Sequence, residues 1–257
     1  LLCGPLVLAS VGWRAWWWGL AALTAAMAVW LARRVPPDST RQGPVARAPT
    51  PMSPWPQRLH RTLRARGPWL VALSFALYSS QWLAVIGFLP SIYVQAGISG
   101  GTVGLLTALA AAVNIIGNVG SGRLLQRGLQ PQALLHAGFA TMTLGTMMAF
   151  GLAESQPLLR YAGVLLFSMV GGMIPGTLFS LAVRLAPGDD TISTTVGWMQ
   201  QWSAAGQFAG PPLVAWVAGT VGGWQWTWAV TGACSLIGGL LALQIARAVR
   251  AKGEAES

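Results

Sequence analysis

Charged residues cut the chain into long apolar intervals. None occurs between Arg66 and Arg123 or between Asp190 and Arg247, and each 56-residue interval holds two spans of roughly 20 apolar residues and a turn. Single-span runs cover 128 to 153 and 161 to 183, and another covers 15 to 32. This pattern predicts an all-α, polytopic membrane fold of seven spans. The six that follow residue 67 are expected at about 68–96, 101–122, 131–152, 158–184, 192–219 and 224–247. Pro68 suits a helix's first turn, whereas Pro90, Pro175, Pro211 and Pro212 are expected to kink or interrupt helices.

Residues 34 to 67, rich in Pro and Arg, are the only long polar segment and carry too little apolar material for a core. They read as a cytoplasmic linker. Its part from Trp55 to Arg66 is either a basic amphipathic helix lying on the membrane or plain flexible chain.

Composition agrees with the apolar intervals. The 257 residues are 54% hydrophobic and 9% charged, against about a quarter charged in soluble domains. The net charge of +10 would suit nucleic acid, but its placement argues otherwise. Eight Arg lie from Arg33 to Arg66, followed by Arg123, Arg127, Arg184, Arg247, Arg250 and Lys252. Alternating spans put all of these on one side and leave Arg14 and Arg160 on the other. By the positive-inside rule the rich side, with the C-terminus, is cytoplasmic. Cys3 and Cys234 lack metal or disulfide spacing and read as packing residues. His60 and His136 read as incidental. No metal site or cofactor is expected. The chain starts Leu1-Leu2-Cys3-Gly4-Pro5, with neither initiator Met nor signal peptide, so it is expected to be truncated.

An ordered set of features occurs twice. Gly4-Pro5 precedes Gly12-Trp13-Arg14-Ala15-Trp16-Trp17-Trp18 and a span ending in Arg33-Arg34. Gly210-Pro211 precedes Gly223-Trp224-Gln225-Trp226-Thr227-Trp228 and a span ending in Arg247.

With this repeat and the basic linker, the sequence resembles the major facilitator superfamily, whose two six-helix halves are joined by a cytoplasmic loop. The resemblance implies that residues 1–33 are the end of helix five and helix six, 34–67 the central loop, 68–247 helices seven to twelve, and 248–257 a cytoplasmic tail. The missing partners would be the first helices of the same protein. The family's G-x-x-x-D-R-x-G-R-R loop pattern survives in degraded form as Gly122-Arg123-Leu124-Leu125-Gln126-Arg127-Gly128; Arg123 and Arg127 are either gating or purely topogenic. The stretches FALYSSQWLAVIGFLPSIYVQAGIS and WMQQWSAAGQFAGPPLVAW are similar to the cyanate and 2-nitroimidazole permease branch. That likeness implies a bacterial inner-membrane permease for a small organic or inorganic anion or a small neutral compound.

Polar groups inside hydrocarbon are costly unless paired or facing a cavity, so helical stripes of them mark candidate sites. Ser74, Tyr78 and Gln81 share a face, with Trp82 alongside. Thr107, Asn114 and Asn118 form a second stripe. Ser193, Gly197, Gln200 and Gln207 form a third, beside Gln201, Trp198 and Trp202. The candidates for solute binding are Tyr78, Gln81, Trp82, Asn114, Asn118, Gln200 and Gln201; the alternative is that such groups bond neighbouring helices. Gly172, Pro175 and Gly176 read as a packing motif or a hinge. Asp189 and Asp190 suit a cytoplasmic turn or helix cap. No Asp, Glu, Lys or Arg lies in the middle of an expected span between residues 68 and 247, so the usual intramembrane proton carrier is missing. The expected function is alternating-access transport of a small solute across a lipid bilayer; the rival is a membrane sensor or scaffold that binds without translocating. An enzyme ranks last, because no nucleophile with a base, metal cluster or phosphate loop is present.

Overall fold

A computed structural model describes residues 3–35, 53–98, 100–152 and 155–256, and all its regular structure is helical. The chain divides into two compact units. The first, Leu1–Ser53, contains α1, Cys3–Arg34. Its helical path breaks at Gly12, whose φ of 76° and ψ of 165° cost little only in a residue without Cβ. The apolar span runs from there, Gly12–Arg34.

The second unit, Pro54–Ser257, contains the remaining helices: α2 (Trp55–Arg64), α3 (Arg66–Gln95), α4 (Gly101–Ala112), α5 (Asn114–Gln126), α6 (Pro131–Gly151), α7 (Pro157–Gly171), α8 (Met173–Leu185), α9 (Ile192–Val221) and α10 (Thr227–Glu256). Pro131 and Pro157 start α6 and α7, where a missing N–H costs no helical bond. Gly222, with φ 75°, ends α9 one residue before Gly223-Trp224. Thus a positive-φ glycine precedes the Trp cluster in both copies of the sequence repeat.

The expected proline interruptions do not occur at Pro90, Pro211 and Pro212, which lie inside continuous α3 and α9. In hydrocarbon, leaving the helix would orphan several backbone groups, a larger penalty than the one bond a proline removes. The irregularities fall instead at Val113 (φ −62°, ψ −18°) and Gly172 (φ −57°, ψ −17°). These angles approach 3₁₀ values, so α4 with α5 and α7 with α8 still form the single spans Gly101–Gln126 and Pro157–Leu185. Pro175 consequently sits in the first turn of α8.

Six helices among the described residues are long and apolar enough to cross a membrane, one fewer than the seven spans expected. The exception is α9. Its 30 residues reach about 45 Å, but Gln200, Gln201, Ser203 and Gln207 lower its apolarity.

Helix α3 is central, packing against α4, α8, α9 and α10. Small residues set the closest approaches: Gly206 and Gly210 of α9 lie against the carbonyls of Ala76 and Ser80, and Gly145 and Gly163 join α6 to α7. Val71, Leu89, Phe139, Phe167, Leu178 and Met199 fill the core. Leu158 (84% exposed) and Phe208 (83%) turn outward, as lipid-facing side chains do.

The end of the bundle that carries the arginines is tied by polar contacts. Arg61 of α2 pairs with Asp190 in the Asp189–Thr191 turn, and the Thr62 and Thr194 hydroxyls share a hydrogen bond of 2.8 Å. Residues 248–256, expected as a tail, continue α10, and Lys252 Nζ donates to the carbonyls of Arg184 (2.9 Å) and Ala186 (3.0 Å) at the end of α8. This cation sits at the negative end of that helix.

Candidate functional site

Three of the seven binding candidates meet in one cluster. The Asn114 amide donates to the Tyr78 hydroxyl at 3.0 Å and to the Ser168 carbonyl at 2.8 Å. The Trp82 indole N–H donates to the Ser168 hydroxyl at 3.1 Å. One residue of α5 thereby joins α3 to α7, right beside the irregularities at Val113 and Gly172. Gly172 is part of the joint: a Cβ there would clash with the Asn114 carbonyl and lie 3.1 Å from its amide nitrogen. The Tyr78 oxygen accepts from Asn114 and keeps its own proton to donate.

Gln81 does not join this cluster. It is 2% exposed, donates to the Leu77 carbonyl at 3.0 Å and accepts from Ser235 of α10 at 2.9 Å. With Ser80, Trp202, Gly206 and Cys234 it lines a cavity of about 290 Å³ between α3, α9 and α10. Among the described residues Ser74 bonds only its own helix, to the Leu70 carbonyl.

Gln200 and Gln201 are exposed on α9. Beside them Trp69, Trp198 and Trp202 pack edge to face, with centroids 4.9 to 6.1 Å apart. Ser203, one turn further, shares a hydrogen bond of 2.7 Å with Ser79 and accepts from Gln207 at 3.2 Å. Asn118 is half-buried where α5 meets α8, next to Ser121 and Gly176. Thr107, of the same stripe, is buried without a partner among the described residues. The structure therefore brings Tyr78, Trp82 and Asn114 together but leaves Gln81, Asn118, Gln200 and Gln201 at other positions.

Among the gating candidates, Gly172 and Gly176 face α5 closely, and Pro175 is buried just beyond the irregularity. Arg123 and Arg127 are exposed at the end of α5, with no ion pair among the described residues. Asp190 is engaged by Arg61, and Thr191 bonds Gly188 to cap the turn. Sequence reasoning missed Ser168, the one Ser or Thr of α7. Its signal was faint: one small polar residue just before Gly171-Gly172.

Hydroxyls, amides and indoles in this arrangement can hold a small polar molecule by hydrogen bonds against flat apolar walls. Among the described residues no three His, Cys, Asp or Glu gather as metal ligands. No curated protein matches the chain. The family model of the Major Facilitator Superfamily matches residues 1–211, most of the length and every element from α1 to the middle of α9; the chain belongs to the Major Facilitator Superfamily and is an integral membrane transporter, not an enzyme.

Proposed function

We infer that the chain moves a small polar solute, neutral or anionic, and that Tyr78, Trp82 and Asn114 contact it. Transmembrane transport follows from the family. The solute class rests on one observation, the Asn114-centred network that joins α3, α5 and α7. It leaves the Tyr78 and Ser168 hydroxyls to donate, beside an amide and an indole, with no fixed charge of its own. Such a set suits a compact solute that accepts hydrogen bonds, in line with the likeness to cyanate and 2-nitroimidazole permeases. Exposed Gln200 and Gln201 supply the opposite wall in this reading. The α3–α10 bundle corresponds to helices seven to twelve, Gly172 with Pro175 and Gly176 is the hinge of alternating access, and Arg123 and Arg127 act at the cytoplasmic gate. The membrane is a bacterial inner membrane.

Proteoliposomes loaded with unlabelled cyanate or 2-nitroimidazole test this by counterflow. One of the two is expected to exchange saturably, with Tyr78→Phe and Asn114→Leu each lowering kcat/KM about tenfold, the effect of one hydrogen bond to a bound solute. Flux of neither compound overturns the solute class. Saturable binding without flux overturns transport and favours a sensor.

A further inference from the structure

A second pocket lies at the opposite end of the bundle from the arginine-rich face. The end of α3, the start of α4, the end of α6 and the start of α7 enclose about 230 Å³, walled by Leu89, Ile92, Leu106, Phe150 and Val164 together with Tyr93, Tyr161 and Arg160. Its polar groups are unusual for an apolar pocket. Arg160 Nε donates to the Ala149 carbonyl at 2.8 Å, which fixes the guanidinium between α6 and α7. Among the described residues its other N–H groups have no partner. The Tyr161 hydroxyl is already committed to the Leu106 carbonyl at 3.0 Å. The Tyr93 hydroxyl is buried and unpartnered among the described residues, and its ring lies 6.5 Å from that of Tyr161.

A guanidinium with free donors and an unsatisfied phenol, set against hydrocarbon walls, match an anionic head on an apolar tail. The surroundings favour the same class. Leu158, a wall residue, is 84% exposed on a helix that reads as a membrane span, so the approach runs along lipid. A bare hydrophilic anion would have to leave water to enter; an amphiphile already resides there. We propose that the Arg160–Tyr93 pocket binds the head of an anionic amphiphile, separate from the solute site at Tyr78 and Asn114. The shared chemistry is a carboxylate or phosphate on an alkyl or aryl tail, delivered either by a free fatty-type acid or by an anionic phospholipid.

The test places the full chain in nanodiscs of phosphatidylcholine and labels it with a photoactivatable diazirine decanoate, mapping the adducts by peptide mass spectrometry. Saturable labelling is expected within residues 89–98 and 157–164. Decanoate should displace the probe at least about tenfold better than decanol, the difference of one charge-assisted hydrogen bond. Arg160→Gln should lower labelling similarly, Arg160→Lys should retain part of it, and Tyr93→Phe should weaken it less. If discs containing phosphatidylglycerol abolish labelling, the natural occupant is a lipid; if labelling persists there, it is a free acid. Equal displacement by decanol and decanoate on the unaltered protein would overturn the proposal even if Arg160→Gln failed to fold. So would unchanged labelling in Arg160→Gln.

Discussion

Asn114 holds two helices with one amide group, and its neighbour Gly172 has no room for a methyl group. Gly172→Ala is therefore expected to destabilise the protein by about 1 to 3 kcal/mol, the usual cost of overpacking. Gly120→Ala, on the same helix as Asn114 but with nothing near its missing Cβ, should be neutral or slightly stabilising. Thermal unfolding of the two variants in detergent measures the contrast. Gln81→Leu gives a different outcome: it strands the Ser235 hydroxyl and should cost about 1 to 3 kcal/mol of stability while leaving the transport KM unchanged. The polar spacing made Tyr78, Trp82 and Asn114 legible as site candidates. It grouped Gln81 with them because periodicity reports position on one helix and nothing of the neighbours. Three residues along a helix leave an offset of about 60°, enough for Tyr78 to meet α5 while Gln81 meets α10.

At the scale of elements, charge-free runs located the spans closely because a bilayer enforces their length. The same reading put breaks at Pro90, Pro211 and Pro212, which lie inside continuous helices, and at Pro175, three residues from the irregularity at Gly172, while the one at Val113 has no proline near it. Proline's local cost is written in the sequence. Where two helices yield together is a property of their contact, here the meeting of α5 with Gly172, and no single helix contains it. The basic helix α2 shows a similar division. Its amphipathic pattern was readable, but its attachment to the turn at Asp190 was not, since it depends on partners 129 residues apart. The Arg61–Asp190 pair is partly exposed and should contribute no more than about 1 kcal/mol. Asp190→Asn is thus expected to leave the melting temperature nearly unchanged and still speed tryptic cleavage at Arg58, Arg61 and Arg64. Equal cleavage rates would show that this pair does not hold α2 in place.

For the whole molecule, the one-sided arginines predict a topology that labelling can check. A cysteine introduced at the exposed Ala251, in a variant lacking Cys3 and Cys234, should react with an impermeant maleimide only from the cytoplasmic side. Helix α9 adds a constraint on how the protein is made. It is long enough to span but not apolar enough to do so unaided, and its small and polar residues fit α3, through Gly206, Gly210 and the Ser79–Ser203 pair. Translocon-mediated insertion weighs each segment by its own hydrophobicity, so α9 should enter the bilayer poorly as an isolated reporter segment. It should enter better when α3, synthesised earlier, is present to receive it, and Gly210→Leu should remove that assistance. Biogenesis of the chain would then be ordered, with α3 acting as a template whose partner arrives more than a hundred residues later. A lesion at their contact would appear first as protein that is synthesised and degraded, before any defect in transport could be measured.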